Sequence, residues 1–320
     1  MAAYRMDNFK DETHSLPMAR SADGCSFTDV NNGRPVVSGD TIAQQRGIRD
    51  PHIMRGPDGA FYLAMTDLHI YAQEAGYRDT QWERDGKAYG WGNNRAVVLM
   101  RSTDLIHWTH SCFRLDEAFP GYEEVGCVWA PQTIYDPEAG KLMIYFTMRY
   151  GNERCELYYA YTDDAFTRMT TEPKRLFNYP KKFSYIDGDI TKVGDKYHLY
   201  YVAQEGCAGI RHAVSDSIHS GYVYDDGWYD SEPRGCEAAN IWQRSGEDRW
   251  VLMYNISSLK PHNFGFRETT DFKTITDLGH INKGVMKATN FTFPKHGAVI
   301  HLTAKEARRL ARYWGCDMKF

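Results

Sequence analysis

Three acidic residues stand at the start of strand-like segments that are far apart in the sequence. Asp50 lies in RDPHI, Asp187 lies in YIDGDIT two residues before Asp189, and Glu237 lies in GCEAANI. A carboxylate at the mouth of a buried strand costs free energy unless something uses its charge. If the fold brings these acids together, their repulsion raises some of their pKa values, as at many functional sites. Such a set suits either a hard cation such as Ca²⁺ or the acid–base hydrolysis of a glycosidic bond.

Asp50 is followed directly by Pro51. Proline has no N–H group and pushes the residue before it towards extended backbone. The pair therefore predicts that Asp50 is extended and lies among the first residues of a strand. Taken alone, such an aspartate is better explained as a capped turn residue, so a chemical role depends on the other acids.

Repeated hairpin patterns predict the elements that position these acids. Each copy has an apolar strand, a turn containing Gly or Asp, and an aromatic strand. Four copies are PHIMRGPDGAFYLAMT, PQTIYDPEAGKLMIYFT, GDITKVGDKYHLYYV and ANIWQRSGEDRWVLMYN, and FPKHGAVIHLT is a shorter fifth. A Ser/Thr-x-Asp turn also recurs, at Asp23, Asp104, Asp164, Asp216 and Asp271. The spacing is within or above that of propeller blades.

We therefore expect an all-β fold, a five-bladed β-propeller that forms a single domain over residues 1–320. The first turn copy has no hairpin before it and the last hairpin has no turn copy after it, so N-terminal strands should close the last blade. Residues 303–315 predict a short C-terminal helix, because Thr303 and Glu306 form a capping box and Gly315 follows the helical run.

The polar segment 68–94 is longer than a blade requires and carries Trp82 and Trp91. Long loops on rigid scaffolds often have a function. This segment is either a rim loop that shapes a pocket or a surface excursion with tryptophans packed beneath it. Since the first strand of each propeller blade lines the central channel, the acids should meet at one end of that channel.

The bulk composition excludes several classes of function. The formal net charge is −4 with acids and bases interspersed, which predicts neither a nucleic-acid partner nor a membrane surface. The seven cysteines are odd in number and include no C-x-x-C pair, so neither a disulfide framework nor a zinc site is expected. Together with an N-terminus that lacks an apolar signal core, this points to the cytoplasm. A secreted or periplasmic protein whose signal has been removed is the alternative.

These segments resemble glycoside hydrolase family 43. The resemblance rests on RDPHI, VWAPQTIYDPEAGKLMIYF, IDGDITKVGDKYHLYYV and the Glu of GCEAANIWQ before RWVLMY, in that order, over about residues 20–303. It implies a five-bladed propeller that hydrolyses glycosides with inversion. It further implies that Asp50 is the general base, that Asp187 orients the substrate and keeps the general acid protonated, and that Glu237 is that general acid.

The sequence departs from the family pattern around two of these acids. Glu237 is preceded by Cys and followed by Ala where many relatives read Glu-Gly-Pro, and the third blade reads Ile-Asp-Gly-Asp where many read Ile-Asp-Pro. Asp189 therefore competes with Asp187, since strand alternation puts both on one face, and Asp187 is the favoured one.

Three further residues are candidates for substrate binding. Trp129 in WAPQ could stack on a sugar at the channel mouth or pack between blades. Arg267 in FGFRETTDF could hold a hydroxyl group or be an exposed strand arginine. His296 starts the innermost strand of the fifth blade, and in relatives a His here lies under the active site and helps to hold a water or a Ca²⁺. No cofactor is required, and a structural Ca²⁺ near His296 is an added option.

The leading hypothesis is an inverting exo-glycosidase that removes terminal furanosyl or pentosyl residues from plant or microbial oligosaccharides or polysaccharides. The GIRDPHI phrase, the lead-in at residues 23–37 and the HGAVI ending resemble the α-L-arabinofuranosidase branch. A β-D-xylosidase or β-D-galactofuranosidase is the alternative within the family. An invertase-like fructosidase matches poorly, and a non-catalytic carbohydrate-binding propeller has no need of acids at three strand heads.

Overall fold

The chain forms twenty-one strands and four short helices, as seen in a computed structural model that describes residues 2–6, as backbone only, and 14–316. The strands are β1 (Ala2–Met6), β2 (Met18–Arg20), β3 (Ser26–Asp29), β4 (Ile48–Arg55), β5 (Phe61–Asp67), β6 (Ala96–Ser102), β7 (Thr109–Arg114), β8 (Val125–Asp136), β9 (Lys141–Tyr150), β10 (Glu156–Tyr161), β11 (Lys174–Arg175), β12 (Tyr185–Val193), β13 (Lys196–Glu205), β14 (Cys207–Ser215), β15 (Val223–Tyr224), β16 (Cys236–Gln243), β17 (Trp250–Ile256), β18 (Asn263–Thr269), β19 (Thr276–His280), β20 (Lys287–Ala288) and β21 (Pro294–Val299). The helices are α1 (Gly39–Ile42), α2 (Gly86–Tyr89), α3 (Leu115–Ala118) and α4 (Ala304–Trp314).

These strands make the five blades of the expected propeller, each a separate sheet. Blades one to four are the antiparallel runs β4–β7, β8–β11, β12–β15 and β16–β19. In the fifth blade β21 pairs with β1, followed by β2, β3 and β20, so the N-terminal strands close the last blade as predicted. The innermost strands, β4, β8, β12, β16 and β21, contact one another around the axis.

The apolar core lies between neighbouring blades. Aromatic and branched side chains from the facing sheets interlock there, and each fully buried one stabilises the fold by about 1.5–3 kcal/mol. This is why the hairpin strands read as near-continuous apolar runs; every residue of β5 is buried. Examples from the five interfaces of the described chain are Leu99 with Phe146, Tyr145 with Tyr201, Tyr200 with Tyr254, Phe27 with Phe266, and Met18 with Leu63.

Polar groups also join the inner strands in a ring around the axis. At four blade junctions, a side chain of one blade accepts a hydrogen bond from a backbone N–H of the next blade's innermost strand. The pairs are His52 Nδ1 with Thr133 N (3.2 Å), Tyr145 OH with Ile190 N (3.0 Å), Asp189 Oδ2 with Ile241 N (2.6 Å) and Asn240 Oδ1 with Val299 N (3.1 Å). We call these contacts the axial ring.

A bulge interrupts the innermost strand of each of the first four blades near its beginning, where two residues lack a partner in the register. The first bulged residue has a left-handed φ in every case: Asp50 (+50°), Ala130 (+44°), Asp187 (+51°) and Ala238 (+60°). The extended backbone predicted for Asp50 is therefore wrong. Such angles cost non-glycine residues about 1–3 kcal/mol each, and this strain is concentrated where the predicted acids lie.

The Ser/Thr-x-Asp turns are less regular than the sequence suggests. Asp23, Asp104 and Asp271 each accept hydrogen bonds from two backbone N–H groups of the following turn. In the second blade Asp163 has this role rather than Asp164, because its carboxylate accepts from the N–H of Thr167. Asp216 instead pairs with Lys196.

The C-terminal helix forms as predicted. Thr303 and Glu306 make the reciprocal capping box at the start of α4, and Gly315 ends the helix with a left-handed φ of +64°. Arg55 of the first blade bonds the Glu306 carboxylate, and Leu310 is buried between the fifth and first blades, so α4 packs on the outside of that junction. At eleven residues α4 is the longest described helix, and none in this part of the chain could cross a membrane.

Candidate active site

A cavity of about 400 Å³ opens where the innermost strands begin. Asp50 of the first blade, Asp187 of the third and Glu237 of the fourth all line it. Trp129 of the second blade and His296 of the fifth also line it, so each of the five inner strands contributes. The fold thus brings together three acids that are separated by up to 187 positions in the sequence, as the propeller model requires.

Asp50 is held as a carboxylate by its neighbours. Its Oδ1 lies 3.1 Å from His296 Nδ1, and its Oδ2 accepts a hydrogen bond of 2.8 Å from the Thr66 hydroxyl. Burial alone would raise the pKa of Asp50, but the hydrogen bond and charge of His296, with the charge of Arg49, hold it well below its usual value. An ionised carboxylate with limited access to solvent is suited to accept a proton from water.

His296 is the counterpart of this carboxylate. Burial alone would lower the pKa of His296, but the hydrogen bond and charge of Asp50 and the charges of Asp187 and Glu237 raise it. The ring therefore favours its protonated form and donates to Asp50. This contact also joins the fifth blade to the first, the junction that the axial ring leaves open.

Asp187 lies deeper than the other two acids of the cavity and is 8% exposed. Its Oδ2 accepts a hydrogen bond of 3.2 Å from the Ala238 N–H, next to Glu237, and its own N–H donates to the Thr147 hydroxyl. Burial, with the charges of Asp50 and Glu237, raises the pKa of Asp187 to about 7. The cluster therefore holds a proton near neutral pH that three ordinary carboxylates would have lost.

Glu237 has the access to solvent that a proton donor needs, with 30% of its side chain exposed. Its Oε1 accepts a hydrogen bond of 2.8 Å from Asn255 Nδ2 on the neighbouring strand and lies 3.9 Å from Lys295 Nζ. These contacts fix one oxygen of the carboxyl group. The other is free to meet a substrate.

Asp189, the competitor of Asp187, is not among the residues that line the cavity. Its Oδ2 belongs to the axial ring, where it accepts from Ile241 N and also lies 3.4 Å from Asn240 Nδ2. The bulge at Asp187 separates the two acids, since it breaks the alternation that would have put them on one face. Asp189 therefore joins the third and fourth blades, and Asp187 faces the cavity.

Replacement of Asp189 by Asn should stabilise the protein at pH 8. Burial raises the pKa of Asp189 from 3.8 to about 7, so the wild type loses stability as the pH rises through this range and at pH 8 carries a buried charge. Asn keeps an oxygen for the Ile241 N–H and removes that charge. We expect the free energy of unfolding to increase by about 1 kcal/mol at pH 8 and by much less at pH 5, measured by denaturant unfolding. An equal change at both pH values would contradict this electrostatic account.

The segment 68–94 forms part of the cavity wall through Leu68 and Trp91, as the rim-loop interpretation predicts. Trp91 is 55% exposed and packs edge-on against Trp82 and Trp129. Arg149 holds the loop through hydrogen bonds to the carbonyl oxygens of Tyr89 and Trp91. The loop therefore offers an accessible aromatic ring at the cavity mouth.

Trp129 is fixed on two sides. Its Nε1 donates a hydrogen bond of 2.9 Å to the Gly92 carbonyl, and the Arg149 guanidinium lies 4.6 Å from its ring centre. It packs against the loop and also lines the cavity, and its stacking on a sugar stays a prediction.

The prediction that Arg267 binds substrate is not supported by its position. Arg267 lies on β18, the third strand of its blade, and does not line the cavity. Its guanidinium donates to the backbone carbonyl oxygens of Asp230 and Ile275. The side chain ties the loop before β16 to its blade, so it is not free to hold a sugar.

A Ca²⁺ near His296 does not fit the side chains found there. Calcium takes six to eight oxygen ligands. His296 directs its Nδ1 at Asp50 and favours the protonated form, which cannot bind a metal. The described part of the chain holds no group of three or more His, Cys, Asp or Glu side chains arranged for a metal ion. We therefore assign no cation to this place.

Several residues of the site were not predicted from the sequence. Arg49, Arg149 and Lys295 supply its positive charge, and Thr66 and Asn255 hold two of its acids. Strand alternation alone would point Arg49 away from the channel, and the bulge directly after it changes that direction. A weak signal existed for the threonines, because Thr66 and Thr147 occupy matching places on the second strands of two blades.

Residues 1–308 match a family model described as a probable glycosyl hydrolase domain, related to glycoside hydrolase family 43. The chain belongs to this family. The family 43-related protein is accordingly a glycoside hydrolase, and the resemblance seen in its sequence motifs is confirmed. No significant match was found among curated proteins.

Solved structures share the fold of this family 43-related glycosyl hydrolase at low sequence identity. A structure described as an endo-1,4-β-xylanase from Bacteroides thetaiotaomicron VPI-5482 is 13% identical, with a TM-score of 0.59 over 90% of this chain and 92% of that one. An exo-1,5-α-L-arabinanase from a bovine ruminal metagenomic library is 15% identical, with a TM-score of 0.56 over 85% and 94%. An α-L-arabinanase of Cellvibrio cellulosa, complexed with arabinohexaose, is 12% identical, with a TM-score of 0.55 over 87% and 93%.

Proposed function

We propose that this glycoside hydrolase is an inverting exo-acting α-L-arabinofuranosidase that removes terminal residues from an oligosaccharide or polysaccharide. The observation that carries the proposal is the contrast between two acids of one cavity. Asp50 is held ionised by His296 and Thr66, whereas Glu237 is partly exposed and has one carboxyl oxygen free. One acid is thus prepared to accept a proton and the other to deliver one.

In the proposed reaction the sugar lies between the first and fourth blades. Asp50 takes a proton from a water molecule, whose oxygen attacks the anomeric carbon. Glu237 gives its proton to the glycosidic oxygen as the bond to that carbon breaks. The products are the free sugar and the shortened alcohol, and the attack from the opposite face inverts the anomeric configuration.

The shape of the site and the motif resemblance support the proposed substrate class. A cavity of about 400 Å³ is at the small end of the range for ligand sites, which suits one terminal sugar rather than a long chain. The loop that carries Trp91 walls one side of it, as exo action requires. Two of the similar structures are described as arabinanases, in agreement with a pentofuranosyl substrate.

A panel of 4-nitrophenyl glycosides tests this proposal. We expect turnover of the α-L-arabinofuranoside above that of the β-D-xyloside and the β-D-galactofuranoside. Proton NMR during the first minutes should show β-L-arabinofuranose before mutarotation. Release of the α anomer would overturn the inverting mechanism. Preference for another glycoside would contradict the assignment of L-arabinofuranose as the sugar. If the folded protein hydrolyses none of these glycosides, the proposal is wrong.

Asp187→Asn should move the pH dependence of this activity. Burial and the charges of Asp50 and Glu237 raise the pKa of Asp187 to about 7, so Asp187 loses its proton as the pH rises through that value and adds a negative charge to the cavity. Activity should therefore fall as the pH rises through 7. An amide at position 187 cannot ionise, so this fall should be absent from the pH profile of D187N between pH 6 and pH 8.

The measurement is kcat/KM between pH 4 and pH 9 for the wild type, D187N and the matched control D189N. The control removes a second buried carboxylate with a raised pKa from the same strand, but one that does not line the cavity. Its basic limb should coincide with that of the wild type. If the activities of D187N and the wild type fall over the same basic pH range, Asp187 is not the group whose titration causes the fall.

A further inference from the structure

Arg49 lies in the cavity wall beside the proposed base. It is the second residue of β4, immediately before Asp50, and is only 6% exposed. Strand alternation would turn it away from a cavity that receives Asp50. The bulge that begins at Asp50 instead lets both side chains line the same cavity.

The Arg49 guanidinium has no hydrogen-bond acceptor and no ion-pair partner among the described residues, and its Nη1 is fully buried. The other cavity arginine differs in this respect. Arg149 donates to three backbone carbonyl oxygens, of Tyr89, Trp91 and Gly151. A buried donor without an acceptor costs free energy, so Arg49 is prepared for an oxygen that the protein itself does not provide.

The charge around Arg49 favours a neutral oxygen acceptor over an anion. The Asp50 carboxylate is close enough to interact with the Arg49 charge, and Asp187 and Glu237 line the same cavity. An acidic sugar would bring a further negative charge against these carboxylates. The guanidinium fork presents parallel N–H groups that match two adjacent oxygens, and sugar hydroxyl groups provide them.

We propose that Arg49 is a specificity-determining residue that donates hydrogen bonds to hydroxyl groups of the terminal sugar in this cavity. The assignment rests on the proposed function, because it takes that sugar as the ligand. In this assignment Arg49 provides a positively charged donor next to the base Asp50. Its hydrogen bonds hold the sugar ring against the side of the cavity from which water attacks.

The test combines variants of the protein with deoxy analogues of the substrate. The variants are R49M, which removes the donors and keeps the length, R49K, and the control R308M on the exposed face of α4. Each is assayed with 4-nitrophenyl α-L-arabinofuranoside and with its 2-, 3- and 5-deoxy analogues. We expect the wild type to discriminate about tenfold or more against at least one analogue, R49M to lose that discrimination, and R308M to keep it.

The comparison separates a contact from a structural effect. If R49M only displaced Asp50, all four substrates would lose activity by one factor and the discrimination would persist, which would overturn the proposal. R49K should retain part of the discrimination, since it keeps the charge but not the fork.

If the wild type turns over none of the four substrates, the proposed function fails. The same variants are then compared by NMR titration with L-arabinose and its 2-deoxy analogue. Weaker binding of the deoxy sugar by the wild type alone supports Arg49; equal ratios in both proteins, or no binding, overturn it.

Discussion

Glu237→Gln is expected to lower kcat/KM on an arabinofuranosyl oligosaccharide by about a hundredfold or more. General acid catalysis contributes about 10²–10⁴-fold to rates, and a sugar alkoxide leaves poorly without a proton. The substitution keeps the shape of the side chain and an oxygen that accepts from Asn255. The loss therefore reports the missing proton rather than a collapsed site. Initial rates at pH 6, with circular dichroism to check the fold, measure it.

The leaving group provides the internal control for this prediction. Nitrophenolate departs largely without protonation, so E237Q should retain much more activity on the 4-nitrophenyl glycoside than on the oligosaccharide. Glu153 lines the same cavity, is exposed and has no role in the proposed reaction, which makes E153Q the matched variant. Its activity should remain within about threefold of the wild type. Equal losses on both substrates in E237Q would show that Glu237 is not the acid.

The blade architecture could be predicted because it depends on local sequence patterns. Each blade repeats an apolar strand, a polar turn and an aromatic strand, and the interfaces between blades need those residues on both faces. The incomplete first and last copies predicted how the ring closes. The inner strands of any propeller begin around one opening. The meeting of Asp50, Asp187 and Glu237 there could therefore be predicted from their places at the starts of such strands.

The details of the site were not predictable because they depend on the bulges. Asp50, Asp187 and Ala238 adopt left-handed φ values, and none of them is a glycine, so the sequence does not indicate these backbone conformations. Strand alternation past such a point gives the wrong face. It placed Asp187 and Asp189 together, although one lines the cavity and the other joins two blades, and it would likewise turn Arg49 away from the cavity.

The prediction that Arg267 binds substrate lost support for a related reason. A strand arginine near a conspicuous motif looks the same in sequence whether it faces a ligand or a carbonyl group of its own chain. Only the path of the loop before β16, which brings the Asp230 carbonyl to the guanidinium, decides between the two. Arg49 presents the opposite case, since the buried donors that distinguish it become visible only when every neighbour is in place.

Asp50→Asn should reduce kcat by about 10²–10⁴-fold on every substrate, including the nitrophenyl glycoside. Asn has nearly the same shape and tolerates left-handed backbone, so the bulge at φ +50° should survive. What is lost is the carboxylate that His296 keeps ionised and that accepts the proton of the attacking water. Because the pKa of Asp50 lies well below its usual value, the wild type should keep this base active at pH 4, and the acid limb of its pH profile should have another origin.

Azide tests whether Asp50 acts on the face of the sugar opposite the leaving group. An anion that needs no deprotonation can replace the activated water in D50N, and it should restore turnover and give the glycosyl azide of inverted configuration, β from an α-L-arabinofuranoside. A retained α azide would instead mean that a glycosyl-enzyme intermediate forms on another carboxylate and that Asp50 is the acid/base of a retaining mechanism, contrary to the proposal. Asp58→Asn, in the turn at the opposite end of the same hairpin, changes an equal charge far from the cavity and should leave kcat unchanged. If D50N keeps wild-type turnover without azide, Asp50 is not the base.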